Sequence, residues 1–286
     1  MGRVEGKVVF ITGVARGQGR AHALRLAEEG ADIIGVDICS DIETNGYPLS
    51  TEADLDETRR AIENLDRRAV LRKADVRDPA ALQQIVDEGV AELGHLDAVI
   101  AQAGICPLGA QAPQAFLDSA NVLLGGVMNA VTAAMPHLSA GASVVCTGSL
   151  AAMITGGTDN PAHGAGGIGY SWAKRTVASF VNDLALVCAP SDIRVNAIHP
   201  TNCNTKMLQS DPMYRSFRPD LENPTREDVE PAFHAMTALP VPYVEPEEIA
   251  SMSLFLISEE SRHITGMQMR VDAGGFVKLR PATLPF

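Results

Sequence analysis

The chain has 286 residues, 46% of them hydrophobic and 20% charged, with a formal net charge of -12. Those figures describe a globular chain with a sizeable core, and the acidity leaves a nucleic-acid role without electrostatic support. Cys39, Cys106, Cys146, Cys188 and Cys203 are scattered with no C-x-x-C pair, no signal peptide precedes the first strand, and no apolar run is long enough to span a membrane, so a cytoplasmic protein with reduced thiols is expected.

The predicted elements alternate. Residues 8–12 form a short apolar strand that ends at glycines, followed by a helical pattern over 20–29. Strands are expected at 32–37 and 69–75, with a helix at about 50–66 opened by a Ser or Thr cap. A helix over 79–93 has Pro in its first turn, and 96–101 is the fourth strand. A long helix at 113–137, a strand at 142–147, a helix at 169–188 and strands at 193–198 and 268–271 complete the pattern. Several of these strands are apolar throughout, as in a parallel sheet covered on both faces. The fold class is therefore α/β, a Rossmann-type doubly wound parallel sheet of about seven strands, read as one domain over 1–286. Three stretches depart from plain alternation: an insert at 39–68, a glycine-rich stretch at 154–167, and a proline-containing stretch at 202–244 with two short helices. Each is a candidate lid or substrate loop, with surface elaboration as the other reading.

The turn from Thr12 to Gly19 lies between the first strand and the first helix, with Gly13, Gly17 and Gly19 spaced G-x-x-x-G-x-G. Glycines there let backbone approach a pyrophosphate at a helix N-terminus. Asp37 ends the second strand, where a carboxylate accepts ribose hydroxyls and repels a 2′-phosphate, which favours NAD over NADP. Arg16 argues the other way, because it could pair with a 2′-phosphate. Asp75 and Val76 end the third strand, where Asp75 either meets the adenine or caps a loop. Tyr170 and Lys174 stand four residues apart, on one helix face. An ammonium beside a phenol favours the phenolate, so Tyr170 is expected to have a lowered pKa and to move a proton to or from a substrate oxygen. No H-E-x-x-H pattern or cysteine cluster suggests zinc, so no metal is expected.

The chain resembles the short-chain dehydrogenase/reductase superfamily over nearly its whole length. The resemblance rests on Thr12 to Gly19 with Gln18, Asp37, Asp75, Ala103 and Gly104, Asn121, Ser149, Tyr170, Lys174, and the run from Arg194 to Pro200. It implies a catalytic set of Ser149, Tyr170, Lys174 and Asn121. Ser149 would steady the substrate oxygen, Lys174 would hold the nicotinamide ribose, and Asn121 would distort its helix and connect through a water to the lysine. Gln102, Ala103, Gly104, Pro200 and Thr205 join the cofactor set by the same resemblance. Gln102 stands where the family has Asn, which leaves the hydrogen bonds of that turn open. Thr201 stands where it has Gly.

The turn at 15–20, the insert residues 46–51 and the run 200–207 are similar to the mycofactocin-coupled, carveol-dehydrogenase-like subgroup. That likeness implies a secondary-alcohol dehydrogenase with tightly held NAD, re-oxidised through mycofactocin, and usually a homotetramer. The other readings are a dehydrogenase/reductase that exchanges NAD(H) freely on a steroid, oxoacyl or other ketone, and a non-catalytic NAD-binding sensor. Met207, Met213, Tyr214, Phe217, Phe233 and Met236 are candidates for an apolar substrate wall, and the apolar end at 281–286 for a subunit contact.

Overall fold

Seven strands form one sheet in the computed structural model, which describes residues 2–279. They are β1 (Val8–Thr12), β2 (Asp32–Asp37), β3 (Ala69–Lys73), β4 (Leu96–Ala101), β5 (Leu138–Thr147), β6 (Arg194–Pro200) and β7 (Gln268–Val271). All neighbours pair in parallel, in the order β3-β2-β1-β4-β5-β6-β7. Chain order reverses between β1 and β4, and a doubly wound sheet binds its ligand at the strand ends beside that crevice.

The central strands are mostly apolar because each face of the sheet has its own core. Val8, Phe10, Ile34 and Val36 point to one, with Val86 of α3 (Pro79–Leu93), Val131 of α5 (Gly126–Ala134) and Val181 of α6 (Gly164–Cys188). Val9, Ile11 and Ile33 point to the other. There they meet Leu26 of α1 (Gly17–Glu28), Ile62 of α2 (Glu52–Glu63) and Leu254 of α9 (Pro246–Ile257). Among the described residues no helix is long and apolar enough to cross a membrane.

Local signals place several boundaries. Asp78 accepts from the amides of Ala80 and Ala81 at 3.0 and 3.1 Å and starts α3 ahead of Pro79, and Gly94 ends it in the left-handed region. Thr51 and Asp54 form a reciprocal capping box at α2.

Other boundaries differ from expectation. The expected helix over 113–137 is divided into α4 (Pro113–Ala120), a π-helical turn (Asn121–Gly125), α5 and a short 3-10 turn. α6 starts five residues earlier than its pattern suggests, because buried Gly164, Gly166 and Gly167 pack against the 107–111 segment and the 154–167 stretch. α9 lacked a recognised signal, although Glu245 and Glu248 form its capping box around Pro246. The 202–244 stretch holds two helices, α7 (Asp211–Phe217) and α8 (Arg226–Met236). A five-residue helix, α10 (Gly275–Leu279), follows β7. The 281–286 end lies outside the described residues.

Candidate active site

Two adjoining cavities open at the strand ends. One, of about 520 Å³, lies over the glycine turn and is lined by Gly13, Arg16, Gly17, Gln18, Gly19, Asp37, Asp75, Val76, Gln102, Ala103, Gly104 and Thr205. The other, of about 450 Å³, is lined by Ser149, Tyr170, Lys174 and Pro200, and shares Gln18, Gln102, Gly104 and Thr205 with the first. The catalytic and cofactor residues singled out from sequence thus converge, with one exception.

The exception is Asn121. It opens the π-helical turn, so the expected distortion of the helix is present. Its side chain is exposed, however, and it lines neither cavity. Val122 and Leu123 of the same turn face the cavities instead. The extra residue of a π turn rotates the following positions inward, and the relay assigned to Asn121 has no geometric support.

The glycine turn suits a dinucleotide. Gly13 has φ +72, and a Cβ added at Gly19 would lie 1.9 Å from the Gly13 carbonyl oxygen, so the turn closes only without side chains. Arg16 precedes α1 without a side-chain cap, which leaves first-turn amides of a twelve-residue helix for an anion. The buried Gln18 Oε1 has no partner and faces both cavities. Asp37 is buried, and accepts from the Ala15 amide at 2.9 Å and from the Ser50 hydroxyl. Arg16, the one residue that argued for NADP, donates to the Pro48 carbonyl at 2.7 Å. Asp75 pairs with Arg77 and accepts its amide at 2.9 Å, which is the loop-capping role.

The turn after β4 holds despite Gln102. The amides of Gln102 and Ala103 both donate to Thr12 Oγ1 at 3.0 Å. Gln102 Oε1 accepts from Thr147 Oγ1 at 2.5 Å and faces His22 Nε2 at 3.1 Å. The longer side chain therefore reaches β5 and α1 while its backbone keeps the turn.

Lys174 is buried and donates to the Thr147 carbonyl at 2.6 Å, with its Nζ 5.9 Å from the centroid of the Tyr170 ring. Burial pushes the Lys174 ammonium down to about 8. The expected lowering of Tyr170 is corrected here. Burial pushes its phenol above the ordinary range, Cys106 adds to the rise, and a hydrogen bond from Ser149 pulls the other way. Desolvation outweighs a cation at that separation.

The rest of the cavity wall is mostly apolar. Met207, Met213, Phe217 and Met236 line it, as expected, with Leu123, Ile154 and Leu208. Tyr214 and Phe233 do not. Phe233 is fully buried and meets Phe217 edge-on at 4.8 Å, and the Tyr214 hydroxyl donates to Gln209 at 2.6 Å, so both pack within the 202–244 stretch. His163 lines the cavity, His199 lies behind Ser149, and His234 is exposed.

Sequence reasoning missed Thr147 and Tyr47. Tyr47 belongs to the insert, lines the larger cavity, and its hydroxyl accepts from the Cys106 amide at 3.2 Å. Among the described residues no group of three His, Cys, Asp or Glu could hold a metal ion.

Comparison with known proteins agrees with this geometry. The family described as enoyl-(acyl carrier protein) reductase matches residues 13–275. A (-)-trans-carveol dehydrogenase of Rhodococcus erythropolis is 46% identical over 285 residues, covering 97% of this chain and 100% of that one. A putative short-chain type dehydrogenase/reductase of Mycolicibacterium smegmatis is also 46% identical, covering 97% and 99%. The crystal structure of carveol dehydrogenase from Mycobacterium avium in complex with NAD superposes with a TM-score of 0.92 at 44% identity, covering 97% of this chain and 100% of that chain.

Proposed function

The chain belongs to the short-chain dehydrogenase/reductase family, and from that membership we propose that it is an NAD-dependent oxidoreductase interconverting a secondary alcohol, terpenoid and carveol-like, and its ketone. The observation that carries this reading is the meeting of Ser149, Tyr170 and Lys174 on one largely apolar cavity beside a glycine-lined cleft. The carveol dehydrogenase relatives, one of them in complex with NAD, support the substrate class and cofactor.

NAD, when bound, supplies the hydride acceptor. The residues that would hold it are Gly13, Gly17, Gln18, Gly19, Asp37, Val76, Gln102, Ala103, Gly104, Pro200 and Thr205, with Asp75 at the rim. Ser149 and Tyr170 present hydroxyls to the alcohol oxygen. Tyr170 takes the alcohol proton in oxidation and returns it in reduction. Ser149 steadies the negative charge on that oxygen, and Lys174, anchored on Thr147, steadies the tyrosinate.

The reading extends to tightly held NAD whose electrons leave through mycofactocin. The insert supports it: Arg20 of α1 reaches the Asp54 carbonyl at 2.8 Å and Thr58 Oγ1 at 2.9 Å of α2, and Ser50 holds Asp37. We read the whole chain as one catalytic domain of a cytosolic homotetramer. The five free thiols, all buried, support the location. An exposed apolar strip of Leu117, Ile168 and Trp172 supports the assembly.

The test is oxidation of (-)-trans-carveol by purified protein, with an artificial electron acceptor in one arm and free NAD in the other. Oxidation with the acceptor, and NAD retained through gel filtration, are expected. Rapid multiple turnover on free NAD defeats the coupled mode. Failure of both arms across a panel of secondary alcohols defeats the enzyme reading.

A further inference from the structure

We infer that His199 and Gln268 form a buried cross-brace that sets the position of Ser149 relative to Tyr170, with His199 a positioning residue held in one tautomer. The inference rests on the alcohol-oxidation reading of the site. His199, in β6, is fully buried behind the loop that carries Ser149. Its Nδ1 lies 3.2 Å from the Ser149 amide nitrogen and 3.0 Å from the Ser149 carbonyl oxygen. Its Nε2 lies 2.6 Å from Gln268 Oε1 on β7.

The Gln268 amide decides which contact of Nδ1 counts. Its Nε2 donates to the Ala178 carbonyl at 3.0 Å and to Asn182 Oδ1 at 2.9 Å, both on α6. Two acceptors fix the amide orientation, so its oxygen faces the imidazole. His199 Nε2 must then carry the hydrogen. A neutral ring has only one, so Nδ1 is a bare acceptor and takes the Ser149 N–H. The other tautomer could donate to the Ser149 carbonyl, but it would set acceptor against acceptor at the 2.6 Å contact with Gln268.

The path closes on α6, which also carries Tyr170 and Lys174. Ser149 N–H to His199, His199 to Gln268, and Gln268 to Ala178 is thus a chain of hydrogen bonds between the two hydroxyl-bearing elements of the site. The ring stands where a side chain at 148 would be: a Cβ added to Gly148 would lie 2.4 Å from Nδ1 and from Cε1. Burial keeps the imidazole neutral, and the cations of Lys174 on α6 and Arg270 on β7 push the same way, against the hydrogen bonds from Ser149 and Gln268. A second proton would land on Nδ1 and expel the Ser149 amide.

The first measurement is the tautomer of His199 by ¹⁵N NMR of the intact protein. The Nε2–H form is expected, and an Nδ1–H form overturns the brace. Kinetics follow. Asparagine can place an amide oxygen near the Nδ1 position, whereas leucine cannot. His199→Leu is expected to lower kcat about ten- to a hundred-fold with NAD retention unchanged, and His199→Asn to restore most of it. Equal losses in the two, or kcat within about twofold of wild type in His199→Leu, overturn the inference. Gln268→Glu should raise the His199 pKa and add an acid limb to the rate profile; Gln268→Met should add none. A profile without that limb counts against the brace. The NMR and pH arms decide if His199→Leu does not fold. If the wild-type protein oxidises no alcohol, the functional reading falls, and the tautomer alone decides the brace.

Discussion

Tyr170 shows how burial and charge compete at one residue. Its phenol is raised by desolvation although Lys174 stands one helical turn away, so the neutral acid dominates around pH 7. The neutral form is the proton donor for reduction, and the deprotonated form is the base for oxidation. Oxidation is therefore expected to accelerate as pH rises from 7 to 9, while reduction, whose acid form stays fully populated, changes little. Tyr170→Phe should keep NAD yet lose about a thousand-fold or more in turnover, together with this pH dependence. Near-normal turnover in steady-state assays would remove Tyr170 from its role. His22 offers a stability test at the same scale. It is fully buried against Gln102, and burial lowers its pKa from the ordinary 6.5 to about 4. The folded protein then binds fewer protons than the unfolded chain between those values. Its contribution is complete above pH 6.5 and is lost as pH falls toward 4, by about 3 kcal/mol. Urea unfolding across that window should show the slope, and His22→Gln, which cannot titrate there, should flatten it. An unchanged slope would mean that His22 charges without cost.

At the scale of elements, the 39–68 insert and the 202–244 stretch line opposite ends of the site. The insert is clamped to the glycine turn by Arg20, which donates to the Ala15 carbonyl, the Asp54 carbonyl and Thr58 Oγ1, and pairs with Glu57 at 2.9 Å. Arg16 adds its bond to Pro48. Exposed ion pairs contribute little, whereas bonds to buried carbonyl and hydroxyl groups hold geometry. Arg20→Ala is expected to speed NAD release at least about tenfold, read by the fluorescence or absorbance of cofactor leaving the protein. An unchanged release rate would separate the insert from cofactor retention. The 202–244 stretch has its own small core of Leu208, Val229 and Phe233, with Met213 and Phe217 packed against it. Lys278 of α10 donates to the His234 and Thr237 carbonyls at 3.1 and 2.6 Å and fastens the end of α8. This packing explains why Tyr214 and Phe233 face inward and leave the cavity wall to the methionines and Phe217.

For the whole molecule, the apolar strip on α4 and α6 is one feature that a single chain leaves exposed. Trp172 is 44% exposed and lies beside Phe116, 5.6 Å between ring centroids, with Leu117 at 51% and Ile168 one turn before it. Assembly that covers this strip would place a partner against the helix that carries Tyr170. Trp172→Glu is expected to shift the protein toward smaller species in sedimentation and to lower its thermal midpoint. An unchanged sedimentation profile would move the interface elsewhere.

Local patterns in the chain determined the sheet and pointed to many of the residues that meet at the two cavities. Apolar runs, caps at Asp78 and Thr51, the glycine spacing and the four-residue step from Tyr170 to Lys174 act over a few residues, so they are legible without a fold. The family resemblance placed Ser149 among them. Tertiary structure alone decided the rest. A π turn set Asn121 outward and Leu123 inward, packing started α6 at Gly164, and Gln102 found Thr147 and His22 across three elements. The pKa of Tyr170 belongs here too, because desolvation depends on everything packed around the ring. The same holds for His199. Its tautomer depends on Gln268, 69 residues away in sequence and one strand away in the sheet.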